Sequence, residues 1–324
     1  MVSFLPGLIL AGARAALRRP WRAAIVLLVL AAACGTAASG PGVAVPPSPP
    51  ASWSAGGAEG GISPILATTV LRTGRQRVSF LLVGPDALVK APEVTVATTY
   101  LDGDGVAGET RPAAFHSWPY GIRGSYTTHL TFDQPGAWRL DISVDDGQLA
   151  GDTHLTVQVA QKPLVPDIGE IPPRSRTKTL AGEGGLKTLT TAYAPDPDLY
   201  LISVEEAIQD AKPDVIVFAT PAFCTSPTCG PQTETVAELK ESYRGQANFI
   251  HVEIYDNPHE IQGDLSRARI TGAVQEWGFD RIPGWFNESW TYVLDSEGRV
   301  YQKFEGFVTL EELETTLKAV LPPG

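Results

Sequence analysis

The chain has 324 residues, 25 of them basic and 36 acidic, for a formal net charge of −11. That balance argues against nucleic acid and anionic lipid surfaces as partners, since both repel an acidic protein. The length exceeds what one hydrophobic core usually organises, which favours more than one domain.

Residues 1–33 read as an export signal. Arg14, Arg18, Arg19 and Arg22 precede the apolar run AAIVLLVLAAA at 23–33, and no acidic residue comes before it. The run is too short for a helix that must span a bilayer, which takes roughly 20 residues. It ends in LAAAC, which resembles the lipobox of bacterial lipoproteins, with Ala31 where leucine is usual. The resemblance implies that Cys34 is acylated and becomes the mature N-terminus. Residues 34–62, rich in Pro and Gly, are then a tether, and the protein is exported and anchored to the outer face of the cytoplasmic membrane. Processing would remove four basic and no acidic residues, leaving a charge of −15. Of three cysteines, one acylated at position 34 leaves Cys224 and Cys229 as a pair in an oxidising compartment.

Residues 63–162 carry period-two segments. In AWRLDISV, Trp138, Leu140, Ile142 and Val144 alternate with Arg139, Asp141 and Ser143. VSFLLV, EVTVATTYL, SYTTHLTF and THLTVQV follow the same pattern, separated by turn sequences such as DGDG, DQPG and DDGQ. The expectation is an all-β, antiparallel sandwich of immunoglobulin type without an inter-sheet disulfide. DGDGVAGE has spaced carboxylates but not the full ligand series of a calcium loop, and reads as a turn.

Residues 163–196, rich in Pro, Gly and Thr, are expected to be an extended connector lying over one or both domains. From 197 to 324 the pattern changes. YLISVEEAIQDA predicts a short strand and a helix, KPDVIVFAT a central strand, and PQTETVAELKESY a helix with Pro231 in its first turn. ANFIHVEIY predicts a strand, LSRARITGAVQEWG a helix, WTYVLD and RVYQKFEG a hairpin, and TLEELETTLKAVL a closing helix.

That order, with VIVFATPAFC entering a cysteine loop, CGPQ opening a helix and TYVLDSEGRVYQKFEGF as a terminal hairpin, resembles the thioredoxin fold over residues 197–324. The expected fold class is therefore multidomain, an all-β immunoglobulin-like sandwich followed by an α/β thioredoxin-like domain. The combination resembles exported bacterial thioredoxin-like lipoproteins. The resemblance implies Cys224 as the attacking thiol and Cys229 as the resolving one, in a catalytic pair near a helix N-terminus that favours a thiolate. Ser289, Trp290, Asp256 and His259 are auxiliary candidates near that site. Asp256 and His259 follow a strand expected to run parallel to VIVFAT and so exit on the cysteine side. His251, mid-strand, reads as a packed side chain.

The chain departs from the family pattern in three places. The spacing is C-x4-C rather than C-x2-C. Ser289 stands where the family has a cis-proline. The place of the family's buried acid falls near Phe218. The leading expectation is thiol-disulfide exchange on a protein or small-molecule thiol or disulfide, with no cofactor and no metal. The alternatives are a binding module in which a structural disulfide fixes a loop, and a copper-binding or copper-delivery protein of the same fold. Closing so short a loop is worth about 2 kcal/mol, a modest return for a clasp.

Overall fold

Period-two patterning becomes strand across residues 63–162. The computed structural model describes residues 53–55, 61–103, 105–119, 121–147, 149–285 and 289–322. Cys34, the leader and most of the tether lie outside the described residues. Nine strands form one hydrogen-bonded sheet: β1 (Trp53–Ala55), β2 (Ser63–Leu66), β3 (Leu71–Arg72), β4 (Gly74–Val83), β5 (Glu93–Tyr100), β6 (Ala107–Ser117), β7 (Gly124–Phe132), β8 (Gly136–Asp145) and β9 (Ala150–Ala160). The path runs β1-β9-β8-β5-β6-β7-β4-β2, with β3 on β9.

The path turns in β6. Its residues 107–114 pair with β5, whereas 114–117 pair with β7, so one strand belongs to both halves of the sheet. The halves share one core: Phe80, Leu82 and Phe132 from one side meet Val96, Leu140 and Leu155 from the other. The Phe132 and Trp138 rings are 5.3 Å apart although β7 and β8 are not neighbours in the path. The segment from Ser63 to Arg72 joins β4 through β2 and β9 through β3, tying both ends of the path together. The region starts earlier than the sequence suggests. Trp53–Ala55, expected in the tether, pairs with β9, and Ile62 is fully buried.

The second sheet has four strands, β10 (Asp214–Ala219), β11 (Asn248–Glu253), β12 (Trp290–Leu294) and β13 (Val300–Glu305), in the order β11-β10-β12-β13. β10 is parallel to β11 and antiparallel to β12, which pairs antiparallel with β13. The helices are α1 (Val204–Ala207), α2 (Cys229–Ser242), α3 (Pro258–Ile261), α4 (Gly272–Glu276) and α5 (Leu310–Lys318). One face of the sheet packs Val215 and Val217 against Val236 and Leu239 of α2 and Leu313 and Leu317 of α5. The other packs Ile216 and Phe218 against α1, α4, Trp277 and Phe279. A parallel β-α-β unit followed by an antiparallel hairpin and a closing helix is a thioredoxin-like fold.

Two expected elements differ. No strand forms at Tyr200, where Pro197–Tyr200 is a 3-10 turn capped by Asp196, because Leu199 and Tyr200 are pulled together into the core. The helix expected across 265–278 is broken. The Arg269 carbonyl accepts from the Asp256 N–H, and the Arg269 N–H donates to Asn257 Oδ1, so this backbone is committed to a bridge with Tyr255 rather than to helical bonds.

Residues 48–324 form one compact unit, and ionic contacts explain why. The Glu305 carboxylate accepts from the backbone N–H groups of Thr69 and Val70, at 2.7 and 3.1 Å. Arg77 of β4 makes two bonds to Glu312 of α5, at 2.7 and 2.9 Å, with its side chain almost wholly buried. Asp167 of the connector pairs with both Arg72 and Lys303. The connector also lines the outer edge of β13, where Gly169 N–H donates to Val300 O and Val300 N–H to Glu170 O, at 2.8 and 2.9 Å. Val165 sits in the core of one sheet face and Leu189 in that of the other.

Glu305→Ala leaves the partly buried N–H groups of Thr69 and Val70 without their acceptor, each worth about 1–3 kcal/mol. Urea unfolding of this variant is expected to show a loss of about 3 kcal/mol. Glu305→Gln, which keeps one acceptor oxygen, loses less.

Candidate functional site

The cysteine loop grows out of a wholly buried strand, β10. All six residues of β10 are buried. After Ala219 the chain turns, with Phe223 N–H donating to Thr220 O at 3.0 Å, and passes Cys224 before α2 begins at Cys229. A disulfide joins Cys224 to Cys229, with their Cα atoms 5.9 Å apart. The two sulfurs differ in setting. Cys224 is half-buried in the loop, whereas Cys229 is fully buried against Val217, Val236 and the α5 side of the core.

Cys229 is the first residue of a 14-residue helix that carries no acidic side chain in its first turn. Such a position favours a thiolate, because the first-turn N–H groups and the helix dipole present positive potential. Among the described residues, hydroxyls stand close to the loop. Thr228 Oγ1 is 3.9 Å from Cys224 Sγ, 2.7 Å from Ser226 Oγ and 3.3 Å from Ser289 Oγ. Ser289 also donates to the Gly306 carbonyl, at 3.2 Å.

Ser289, just before β12, is brought to the cysteine loop through Thr228. Trp290 is buried on the opposite face of the sheet from Cys229, among Phe279, Trp277 and Tyr292. Asp256 and His259 follow β11, which does run parallel to β10. Asp256 is paired with Lys178 at 3.0 Å, and His259 lies 3.8 Å from Glu260. His251 is packed as expected, its Nδ1 2.6 Å from Tyr200 Oη and its Nε2 3.1 Å from Ala219 O. Among the described residues, no group of three or more His, Cys, Asp or Glu side chains stands close enough to hold a metal ion.

A buried acid does serve this end of the sheet, on a different strand from the one the family pattern suggests. Phe218 is core, but Glu253, directly across from Ala219 in β11, is buried. Its Oε2 accepts from Thr191 N–H and Thr191 Oγ1, at 2.7 and 2.8 Å, and its Oε1 from Ile254 N–H at 3.1 Å. Thr191 Oγ1 in turn accepts from Ala222 N–H at 3.2 Å, two residues before Cys224. Burial pushes the Glu253 carboxyl up to about 7, against the hydrogen bonds that favour its charged form. Asp214, at the far end of β10, is also pushed up to about 7 by burial, although Asn248 donates to it at 2.8 Å. Sequence reasoning missed Glu253 because it sits in an apolar strand pattern as an ordinary strand-end residue. Its partner Thr191 lies 62 positions away.

No family model matches the chain, and no curated protein matches it. Among solved structures it is similar to the crystal structure of a thiol:disulfide interchange protein, thioredoxin family protein, from Chlorobium tepidum TLS. The TM-score is 0.28 and the identity 11%, over 37% of this chain and 86% of that one.

The titration of Glu253 has a defined sign. Its carboxyl has an ordinary value of 4.5 and is raised to about 7 in the folded protein, so the folded state holds the proton more tightly. The associated stability is complete below pH 4.5, falls as the pH rises towards 7 and is lost above it. Measured against Glu253→Gln, which cannot titrate, the wild type is expected to lose stability between about pH 5 and 8, by on the order of 3 kcal/mol. A difference between the two proteins that does not change with pH would contradict this assignment.

Proposed function

We propose that this chain is a thiol-disulfide exchange protein that works outside the cytoplasmic membrane, anchored by a lipid at Cys34, with an immunoglobulin-type sandwich as its first domain. One observation carries the reading: the two bonded cysteines are unequal, Cys224 half-buried in a loop and Cys229 buried at the first position of α2. An incoming thiolate meets Cys224 Sγ first. The new S–S bond forms there, the Cys224–Cys229 bond breaks, and its electron pair leaves on Cys229 as a thiolate that the α2 N-terminus stabilises.

A second thiolate of the substrate then attacks its own sulfur in the mixed disulfide and releases Cys224 as a thiolate. The substrate dithiol is oxidised to a disulfide by two electrons, and the protein pair is reduced by the same two. The reverse steps reduce a substrate disulfide, and the reduction potential of the pair sets the direction. Buried Glu253, linked to Ala222 through the Thr191 hydroxyl, is placed to hold a proton at the base of the loop.

The test is a redox titration of the Cys224–Cys229 pair in defined thiol/disulfide buffers, with alkylated thiols counted by mass. A potential between about −270 and −120 mV supports exchange, whereas one below about −300 mV marks a structural clasp. Cys229→Ser is expected to trap substrates on Cys224 as mixed disulfides that a reductant releases. The anchor is tested by intact mass of the membrane-extracted protein, which should begin at Cys34 and carry the added acyl mass. An unmodified Cys34 removes that part of the reading.

A further inference from the structure

The cysteine loop does not face open solvent on the side of Thr228. A cleft of about 220 Å³ lies there, and both domains build its walls. Ser226, Thr228, Trp285 and Phe307 come from the thioredoxin-like domain; Ile65, Leu81 and Trp118 come from the β-sheet domain. Trp118 is held in place twice, its Nε1 donating to Ser125 Oγ at 3.2 Å and its ring lying 5.9 Å from that of Phe307. Neither cysteine lines the cleft, but it adjoins their loop: Thr228 Oγ1, on its wall, is 3.9 Å from Cys224 Sγ.

Its chemistry is one-sided. Among the described residues the lining is aliphatic and aromatic, broken by hydroxyls, and its one charged group is Glu305, whose carboxylate is engaged by Thr69 and Val70. A charged or strongly polar occupant would lose its water against this lining and gain no free charged partner among the described residues. An apolar one would gain from burial, and a cavity of about 150 Å³ already takes a benzene ring. Ile65 leaves 43% of its surface uncovered at the mouth, which is apolar area available to an occupant.

We infer that this cleft is a specificity subsite: it takes one large apolar side chain that neighbours the reacting cysteine of a polypeptide substrate, and the β-sheet domain, through Ile65 and Leu81, supplies the discrimination. The inference rests on the exchange reading above. It gives the first domain a role in choosing substrates, because the thioredoxin-like domain alone makes only half of the cleft.

The test uses the full chain and two cysteine peptides of equal charge that differ at the residue beside the cysteine, Phe in one and Ser in the other. Mixed-disulfide formation with each is timed against the oxidised protein, and the ratio of the two rates is read. The wild type is expected to favour the Phe peptide about tenfold. In Ile65→Asp and in Leu81→Gln the ratio should fall to threefold or less, while Ile122→Asp, a change at an exposed residue outside the cleft, keeps it. Taking the ratio on each protein cancels any change in overall rate, and circular dichroism verifies folding. No preference in the wild type, or a preference that survives both cleft variants, overturns the inference. Glutathione serves as the control for the parent reading: if the wild type fails to exchange even with glutathione, exchange itself fails and the subsite falls with it.

Discussion

Much of this structure depends on one carboxylate receiving two backbone N–H groups from a distant part of the chain. Glu305 ends the last strand of the thioredoxin-like sheet, and the groups it accepts belong to Thr69 and Val70, between the strands that close the first domain. The next two residues, Gly306 and Phe307, form the hairpin exit beside Ser289 and the cysteine loop. Fastening Glu305 therefore ties the segment between β2 and β3 to the end of β13 that leads to Gly306 and Phe307. Arg77 with Glu312 and Asp167 with Arg72 and Lys303 hold the same seam at two further points. Charges this well covered contribute little net stability against an apolar alternative, but breaking one partner leaves the other buried and unpaired. They set a relative orientation rather than a large energy.

The second constraint is the end of the sheet where parallel strands finish. β10 and β11 deliver the cysteine loop and Glu253 to the same place, one register step apart. A buried acid there requires hydrogen-bond donors, and the connector provides them through Thr191. The connector is thus more than a spacer: it supplies donors to Glu253, a counter-ion to Lys303 and apolar side chains to both faces of the sheet.

What could be read from the sequence follows from what each pattern measures. AWRLDISV and THLTVQV alternate because one side of each strand is buried, and both are strands. AGETRPAAFHS does not alternate, because β6 changes partners midway and buries only Ala113, so the switch strand was not legible. The cysteine loop and the helix after it were legible from local order. Glu253 with Thr191 and Glu305 with Thr69 were not, since those pairs are separated by 62 and 236 positions and no local periodicity encodes such contacts. The helix expected at 265–278 failed for the same reason, its backbone having been taken by Asp256 and Asn257.

The covering of β13 has a consequence for what its outer edge can meet. β13 ends its sheet, and a bare terminal strand offers a row of unpaired N–H and C=O groups to any other strand it meets. Here Gly169 and Glu170 bond to Val300 at one end of that row, and Thr69 and Val70 close over Glu305 at the other. The connector thus occupies the Val300 end of that edge, and the segment between β2 and β3 covers the Glu305 end. A cut that freed the four-stranded sheet from them would leave that edge open to pairing with another strand.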